Sequence, residues 1–175
     1  PLDEDRDRDF SAAESQIKLM KKELDALKKR LGKNSISSKS VTVAQLPGIV
    51  IDDTQAEKRG TWTPSTSVGS YVELGYVHDS NDKTTVKSVL FEPSSIPPGR
   101  YSIRVSYAAG ENRATNTVVK VFSADGEDVI LLNQRKAPKE GDLWQPIGEY
   151  TFETGGRAAV EISTEMANGH VIADA

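Results

Sequence analysis

The chain has 175 residues, a formal net charge of −4 and no cysteine. This length accommodates one domain of ordinary size with an appendage. The absence of cysteine excludes a disulfide framework, a thiolate nucleophile and zinc held by sulfur. Apolar runs such as Val129–Leu132 are too short to cross a bilayer.

The charge is unevenly distributed along the chain. Residues 1–33 carry nine Lys and Arg against eight Asp and Glu, whereas the remainder carries 13 against 18. Nucleic-acid binding requires a basic face, because the phosphate backbone dominates affinity. An acidic body therefore argues against a nucleic-acid partner.

A helix is predicted over residues 11–32, after a mixed-charge stretch (1–10) whose composition is typical of a disordered tail. Ser11 and Glu14 form a capping-box pattern, in which each side chain can bond the other residue's backbone N–H. Gly32 suits the position just after a helix.

The apolar residues of this helix recur in alternating steps of three and four, which is the seam of a coiled coil. Such a helix is marginal alone in water, so its seam must be buried. Packing on its own domain and self-association both remain open, and Lys- and Glu-rich polar faces favour self-association, as a dimer or a trimer. The proposed oligomerisation residues are Ile17, Met20, Leu24, Leu27 and Leu31.

Residues 33–46 are rich in Ser and Lys and are interpreted as a linker, with a short strand at 41–44. Residues 47–175 then alternate short apolar segments with turn signals such as Pro97-Pro98-Gly99. This pattern predicts an all-β fold, an antiparallel sandwich of two packed sheets. The predicted strands are 48–52, 70–78, 87–93, 99–108, 117–123, 128–133, 144–153, 158–164 and 170–175.

Three stretches of this region carry a family resemblance: "FEPSSIPPGRYSIRVSYAAGENRATNTVVKVFSADGE", "LWQPIGEYTFETGG" and "GHVIADA". Together they resemble the golvesin C-terminal / xanthan-lyase carbohydrate-binding-like domain. The family's N-R-A-T-N loop is matched fully at 112–116, and its final G-[YH]-V-[IV]-x-D-A-V motif is present up to Ala175, where the sequence stops. Pro146-Ile147-Gly148 stands where members often have Ser-Leu-Gly. The resemblance covers residues 48–175.

The resemblance implies a jelly-roll-like β-sandwich without catalysis of its own. Such domains are attached to polysaccharide lyases, flavin oxidoreductases and large planctomycete-type secreted or cytochrome-bearing proteins. An extracellular, cell-surface or periplasmic location is therefore expected. Because the chain starts with Pro1 and stops within a strand-like segment, we expect it to be part of a longer protein.

Arg113 lies in the N-R-A-T-N loop and allows two interpretations. Its guanidinium can donate to a sugar hydroxyl or a carboxylate, or it can satisfy carbonyls at a sheet corner, with Asn112 and Asn116 bridging the turn. Retention of the motif beside different enzymes favours the corner.

Aromatic rings are the natural partners for the C–H face of a pyranose. Trp62, in the loop-like stretch "RGTWTPSTS", is expected to be exposed, and Trp144 is expected at the core or its rim. Tyr76, with Tyr71 beside it, is a further candidate. The proposed ligand-binding residues are Trp62, Tyr76, Asn112, Arg113, Asn116 and Trp144.

The stretch "YVHDSND" offers oxygens that could surround calcium, at Asp79, Asn81 and Asp82. It lacks EF-hand spacing, and an ordinary hairpin loop is the simpler interpretation. Asp52 and Asp53 are adjacent in a predicted strand, so their side chains are expected to point to opposite faces. His78 and His170 are expected at strand ends, without an accompanying catalytic serine motif.

No phosphate-binding loop, metal-ligand spacing or catalytic triad is present in the sequence, which argues against an enzyme. The favoured function is a non-catalytic extracellular module whose coiled coil gathers several sandwiches for multivalent binding to polysaccharide or cell-surface partners. The alternative is a structural docking or spacer domain of a larger redox or hydrolytic protein. No cofactor is expected apart from calcium.

Overall fold

The computed structural model describes residues 16–18, 20–23 and 39–175. The chain divides into two units, Pro1–Ile36 and Ser37–Ala175. Residues 16–18 and 20–23 are helical. Across the described residues, no helix combines the length and apolarity needed to span a membrane.

The second unit is built from short strands that follow one another without an α-helix between them. In chain order they are β1 (Lys39–Val41), β2 (Glu57–Arg59), β3 (Thr63–Ser65), β4 (Ser70–Val72), β5 (Tyr76–His78), β6 (Ser88–Phe91), β7 (Gly99–Ser106), β8 (Thr117–Ser123), β9 (Gly126–Leu132), β10 (Trp144–Phe152), β11 (Ala159–Ser163) and β12 (Ile172–Ala173). A 3-10 turn, Val43–Gln45, follows β1. The mostly-β prediction is confirmed.

Two layers of strands face each other. One is a five-stranded sheet in the order β2-β6-β11-β8-β9, whose neighbouring strands are all antiparallel. The other contains β3-β5-β12 and the long antiparallel pair β7-β10. A 2.7 Å hydrogen bond from Ser106 N to Ala175 O connects β7 to the residues just after β12.

The core lies between these layers. Residues from both join one apolar cluster, because alternate side chains of each strand point inward. The five-stranded sheet supplies Val89, Phe91, Val119 and Ile162, and the other layer supplies Tyr76, Val105, Tyr107 and Ile172. Exposure alternates along the first part of β7, since Arg100, Ser102 and Arg104 are exposed between less exposed neighbours, whereas Ser106 at its end is buried.

Three strand predictions were wrong in whole or in part. Residues 48–52 form no strand; Gly48 has a φ of 88°, which takes the backbone out of the extended range. The stretch 70–78 is two strands, β4 and β5, separated by a turn with positive φ at Glu73 and Gly75. The predicted strand at 41–44 is largely the 3-10 turn, and β2 and β3 were not anticipated.

Candidate functional site

A cavity of about 500 Å³ opens between the two layers. Its walls come from β6, β7, β10 and β11, and the strandless segment 46–51 forms one side. Four aromatic residues line it: Phe91, Tyr101, Trp144 and Phe152. A concave, mostly apolar space with aromatic walls is the usual form of a small-ligand site.

Polar groups are few and lie at the β7 side of the cavity. Ser102 and Arg104 contribute to the lining. Arg104 Nε is 3.1 Å from Glu140 Oε2, and both side chains are partly exposed to solvent. Tyr101 donates its hydroxyl hydrogen to Pro97 O at 2.8 Å, which fixes the ring. The cavity can therefore hold the apolar face of a ligand, and the polar groups of that ligand would lie near the Arg104–Glu140 ion pair.

A group of buried carboxylates adjoins the cavity. Asp52, Asp53 and Asp174 each place a carboxylate oxygen within 4.8 Å of the others. Ile51 and Ala175, their chain neighbours, line the cavity. This group was missed at the sequence level because Asp52 and Asp53 were assigned to a strand, where they would diverge. They lie in a turn instead, with Gln55 N donating to Asp52 O at 2.9 Å.

The Asp174 carboxyl group accepts hydrogen bonds from two strands, β4 and β7. Val72 N lies 3.2 and 3.1 Å from its two carboxylate oxygens, and Ser106 Oγ donates to Oδ2 at 2.5 Å. Its carbonyl accepts a 2.6 Å hydrogen bond from Asp53 N. The carboxyl group and the carbonyl thus tie together four distant parts of the chain.

Burial dominates the electrostatics of this group. It raises the pKa of Asp174 to about 8, although hydrogen bonds from Ser106 and Val72 oppose the rise. Burial also raises the pKa of Asp53 to about 6, while the ammonium group of Lys58 opposes that shift. Lys58 Nζ lies 3.3 Å from Asp53 Oδ1 and donates to the carbonyl oxygen of the same residue.

The N-R-A-T-N loop is a corner, and its arginine faces inward. Arg113 is buried, with Nε donating to Ala108 O at 3.1 Å and Nη1 donating to Asn112 Oδ1 at 2.8 Å. Backbone bonds continue the corner: Ala114 N donates to His170 O, and His170 N donates to Asn112 O. This arrangement agrees with the favoured interpretation of Arg113.

Asn116 completes the corner by holding the 165–169 loop. Its amide nitrogen donates to Met166 O at 2.7 Å, and its side-chain oxygen accepts from Asn168 N at 2.9 Å. Asn168 in turn accepts from Thr115 N and donates to Thr115 Oγ1. The side chains of Asn112 and Asn116 therefore form hydrogen bonds within the protein itself.

The predicted calcium loop pairs its carboxylates with protein donors. Asp79 is buried and accepts from Asn81 N and Val171 N, each at 3.0 Å. Asp82 accepts from Thr84 and lies 3.0 Å from Lys87 Nζ. A calcium ion at Asp79, Asn81 and Asp82 stays a prediction, and the carboxylates meet positive groups without one.

His78 and His170 come together at this end of the fold, with ring centroids 5.9 Å apart. Burial lowers the pKa of His78 below its ordinary value, and positive charge on His170 and Arg113 lowers it further. Ser80 N donates to His78 Nδ1 at 3.1 Å, which also favours the neutral ring. His170 Nδ1 is 3.8 Å from Asp79 Oδ1.

The expected exposure of Trp62 was wrong. Trp62 is 9% exposed, belongs to the main core cluster and donates its indole N–H to Arg59 O. Tyr76 is also buried in that cluster, with its hydroxyl 3.3 Å from Ser65 Oγ. Their rings fill the core, so among the aromatic candidates only Trp144 lines the cavity.

Two of the proposed oligomerisation residues can be placed. Ile17 and Met20 lie in the helical residues of the first unit and are 53% and 68% exposed. Leu24, Leu27 and Leu31 lie outside the described residues. Self-association stays a prediction.

Comparison with known proteins agrees with the fold and with the motifs. The family model of the Golvesin C-terminal domain matches residues 49–175. A xanthan lyase of Bacillus sp. (strain GL1) is 32% identical over 138 residues, which is 75% of this chain and 14% of the lyase.

A solved structure of a Paenibacillus xanthan lyase is similar with a TM-score of 0.63 and 32% sequence identity. The match covers 71% of this chain and 12% of the lyase chain. The chain thus spans about an eighth to a seventh of the length of the relatives that it matches.

Proposed function

The chain belongs to the golvesin C-terminal domain family, and from this membership we propose that it is a non-catalytic accessory module of a larger extracellular, cell-surface or periplasmic protein, with a polysaccharide as its ligand. The cavity between the layers carries this proposal. It is lined by Trp144 and Tyr101, whose rings suit a pyranose face, and by Arg104, whose side chain lies on the exposed face of β7. The related lyases are named for xanthan, so an acidic polysaccharide is the first ligand to test.

The charge arrangement suits an acidic sugar at this place. Arg104 is 43% exposed, so its guanidinium can leave Glu140 for a ligand carboxylate, which it would bind through two parallel N–H bonds. The apolar walls of the cavity would displace part of the water around the stacked ring. Binding at Trp144 and Arg104 requires no catalytic residue.

The binding test uses the full chain in affinity electrophoresis, with xanthan or a neutral glucan in the gel. We expect xanthan to retard the wild-type chain and Trp144→Ala to lose at least about fivefold in affinity, since stacking of a ring on an aromatic side chain contributes about 1–3 kcal/mol. Phe122→Ala is the matched control. Phe122 is a partly buried ring on β8 that packs under Arg157 and does not line the cavity.

Equal losses in Trp144→Ala and Phe122→Ala would assign the effect to general destabilisation and contradict a site at the cavity. Thermal unfolding of each variant separates the two explanations. A wild-type chain that no acidic or neutral polysaccharide retards would refute polysaccharide binding.

A docking role is the second candidate, and the aliphatic side of the cavity favours it. Leu46, Pro47, Ile49 and Val50 offer apolar contact but little hydrogen bonding, as in a surface that packs on another protein domain. Such a spacer would hold a redox or hydrolytic parent in place. Failure of every polysaccharide, together with binding to the separately expressed remainder of the parent protein, would favour this candidate.

A coiled coil in the first unit would add multivalency to either role. Ile17 and Met20 expose apolar side chains at two successive seam positions, and a second copy of the helix would cover them. Several sandwiches held together would bind a repeating polymer with greater avidity without any new contact.

A further inference from the structure

Asp52, Asp53 and Asp174 bring three carboxyl groups together with one positive side chain, Lys58, beside them. Lys58 pairs with Asp53, and within the described residues Asp52 and Asp174 have no ion-pair partner. All three side chains are buried, at 2%, 6% and 0% exposure. A buried carboxyl group is stable when it is protonated, paired with a cation or bound to a metal.

One oxygen of the group lacks any partner. Asp52 Oδ2 accepts from both the backbone and the hydroxyl of Thr54, whereas Asp52 Oδ1 is buried and accepts no hydrogen bond from the described part of the chain. Buried carboxylate oxygens are normally satisfied, so an orphan of this kind points to an absent ligand. A cation would supply what the protein donors do not.

The donor set selects the kind of cation. It consists of carboxylate oxygens alone, without sulfur or imidazole, and such ligands suit calcium and magnesium and not zinc or copper. Calcium–oxygen distances are about 2.3–2.6 Å, so oxygens on opposite sides of one ion are about 5 Å apart. The 4.8 Å limit on the three oxygens here fits one calcium ion.

The position of the group gives the ion a structural consequence. Asp52 and Asp53 follow the cavity segment 46–51, and Asp174 lies at β12 with hydrogen bonds to β4 and β7. An ion shared by them would fasten the strandless wall of the cavity to the second layer. The cavity beside Ile51 and Ala175 offers space for the water molecules that complete a calcium shell.

We propose that Asp52, Asp53 and Asp174 form a calcium-binding site that anchors the 46–56 segment to the sheet. This site is distinct from the loop at Asp79, Asn81 and Asp82. It does not depend on polysaccharide binding, because its function is to hold the fold.

The test is calcium titration of the full chain after treatment with EDTA, followed by calorimetry and thermal unfolding. We expect saturable binding and a rise in Tm with calcium, because a ligand that binds only the folded state stabilises it. Sodium chloride at equal ionic strength is the control for screening. No calcium heat up to millimolar concentration, or an equal rise with sodium chloride, would overturn the proposal.

Asp52→Asn tests the residues. It keeps an acceptor for Thr54 but removes a charge, so we expect calcium affinity to fall at least about tenfold. In EDTA the variant should unfold at or above the wild-type Tm, since one buried charge is gone. Undiminished calcium binding by Asp52→Asn would refute the site.

Asp82→Asn is the matched control, because it removes one carboxylate from the other candidate loop. We expect it to bind calcium like the wild type. Loss of binding in Asp82→Asn together with normal binding in Asp52→Asn would assign the ion to the 79–82 loop and overturn the proposal. The calorimetry on the wild type remains decisive even where a variant fails to fold.

Discussion

At the residue scale, Arg113 shows how a side chain whose donors suit a ligand also bonds within the fold. Its Nε and Nη1 donate to Ala108 O and Asn112 Oδ1, and its own carbonyl accepts from Arg135 Nε at 2.9 Å. A buried arginine with these bonds stabilises the corner because leaving its donors unpaired would be costly. Binding of a sugar here would require those bonds to break.

Gly169 provides a test of this corner. A Cβ at this position would lie 2.6 Å from both Arg113 C and Arg113 O, and backbone cannot move away as a flexible side chain can. We expect Gly169→Ala to lower the free energy of unfolding by about 1–3 kcal/mol, as overpacking does. Urea denaturation followed by circular dichroism measures the change.

Gly110→Ala is the control in the same corner. The nearest atom to a Cβ at Gly110 is Arg113 Nε at 3.5 Å, which is ordinary contact. This variant should be neutral or slightly more stable, because alanine restricts the unfolded chain. If both glycine variants unfold at the same urea concentration, the close approach at Gly169 is not a constraint on the fold.

At the scale of elements, the five-stranded sheet has a buried centre and an exposed edge. β11 pairs with β6 on one side and β8 on the other, and Ile162 is fully buried there. β9 pairs only with β8 in this sheet, and its Val129 and Leu131 are 53% and 64% exposed. The hydrophobic pattern of β9 therefore does not mark it as a central strand.

Substitutions in β11 and β9 should differ sharply. We expect Ile162→Ala to cost about 2–5 kcal/mol of unfolding free energy and Ile162→Val about 0.5–1.5 kcal/mol, since each removes buried methyl groups. Leu131→Ala should stay within about 0.5 kcal/mol, as exposed positions do. A Leu131→Ala cost equal to that of Ile162→Ala, measured by urea denaturation, would contradict this assignment of centre and edge.

At the scale of the whole molecule, the two units pose separate problems of burial. The sandwich fills its own core from its two layers. In the helical residues of the first unit, Ile17 and Met20 are exposed. A helix of this kind is stable in water only when its apolar seam is buried against a partner. A second copy of the chain is the partner that the heptad pattern favours.

Light scattering on the full chain tests this assembly. We expect two or three times the monomer mass for the wild type. We expect the monomer mass for Ile17→Glu combined with Met20→Glu, because glutamates buried at the seam of neighbouring helices would repel one another. Leu74→Glu is the control, since Leu74 is 82% exposed in the sandwich unit. A monomeric wild type at micromolar concentration would refute the coiled coil.

The sequence by itself determined the class of fold and much of its outline. Period-two alternation and Pro, Gly and Asn turns located β7, β8 and β10 closely, because those strands are long enough for the pattern to repeat. The three motif-bearing stretches, with N-R-A-T-N in the first and the final motif up to Ala175 in the last, together indicated the family that the family model confirms. Short strands such as β2 and β3 have three residues each, too few for a period to be recognised.

Only the tertiary structure decided which side chains share a site. Asp52 and Asp174 are remote in sequence. They meet because β12 lies beside β5 and because Asp174 O, just after β12, accepts a hydrogen bond from Asp53 N. The sequence predicted an exposed Trp62 and a Trp144 at the core or its rim, yet Trp62 fills the core and Trp144 lines the cavity. A local sequence pattern indicates which side chains of a segment are buried. Which side chains from different segments meet in one site depends on long-range strand pairing, which no single segment encodes.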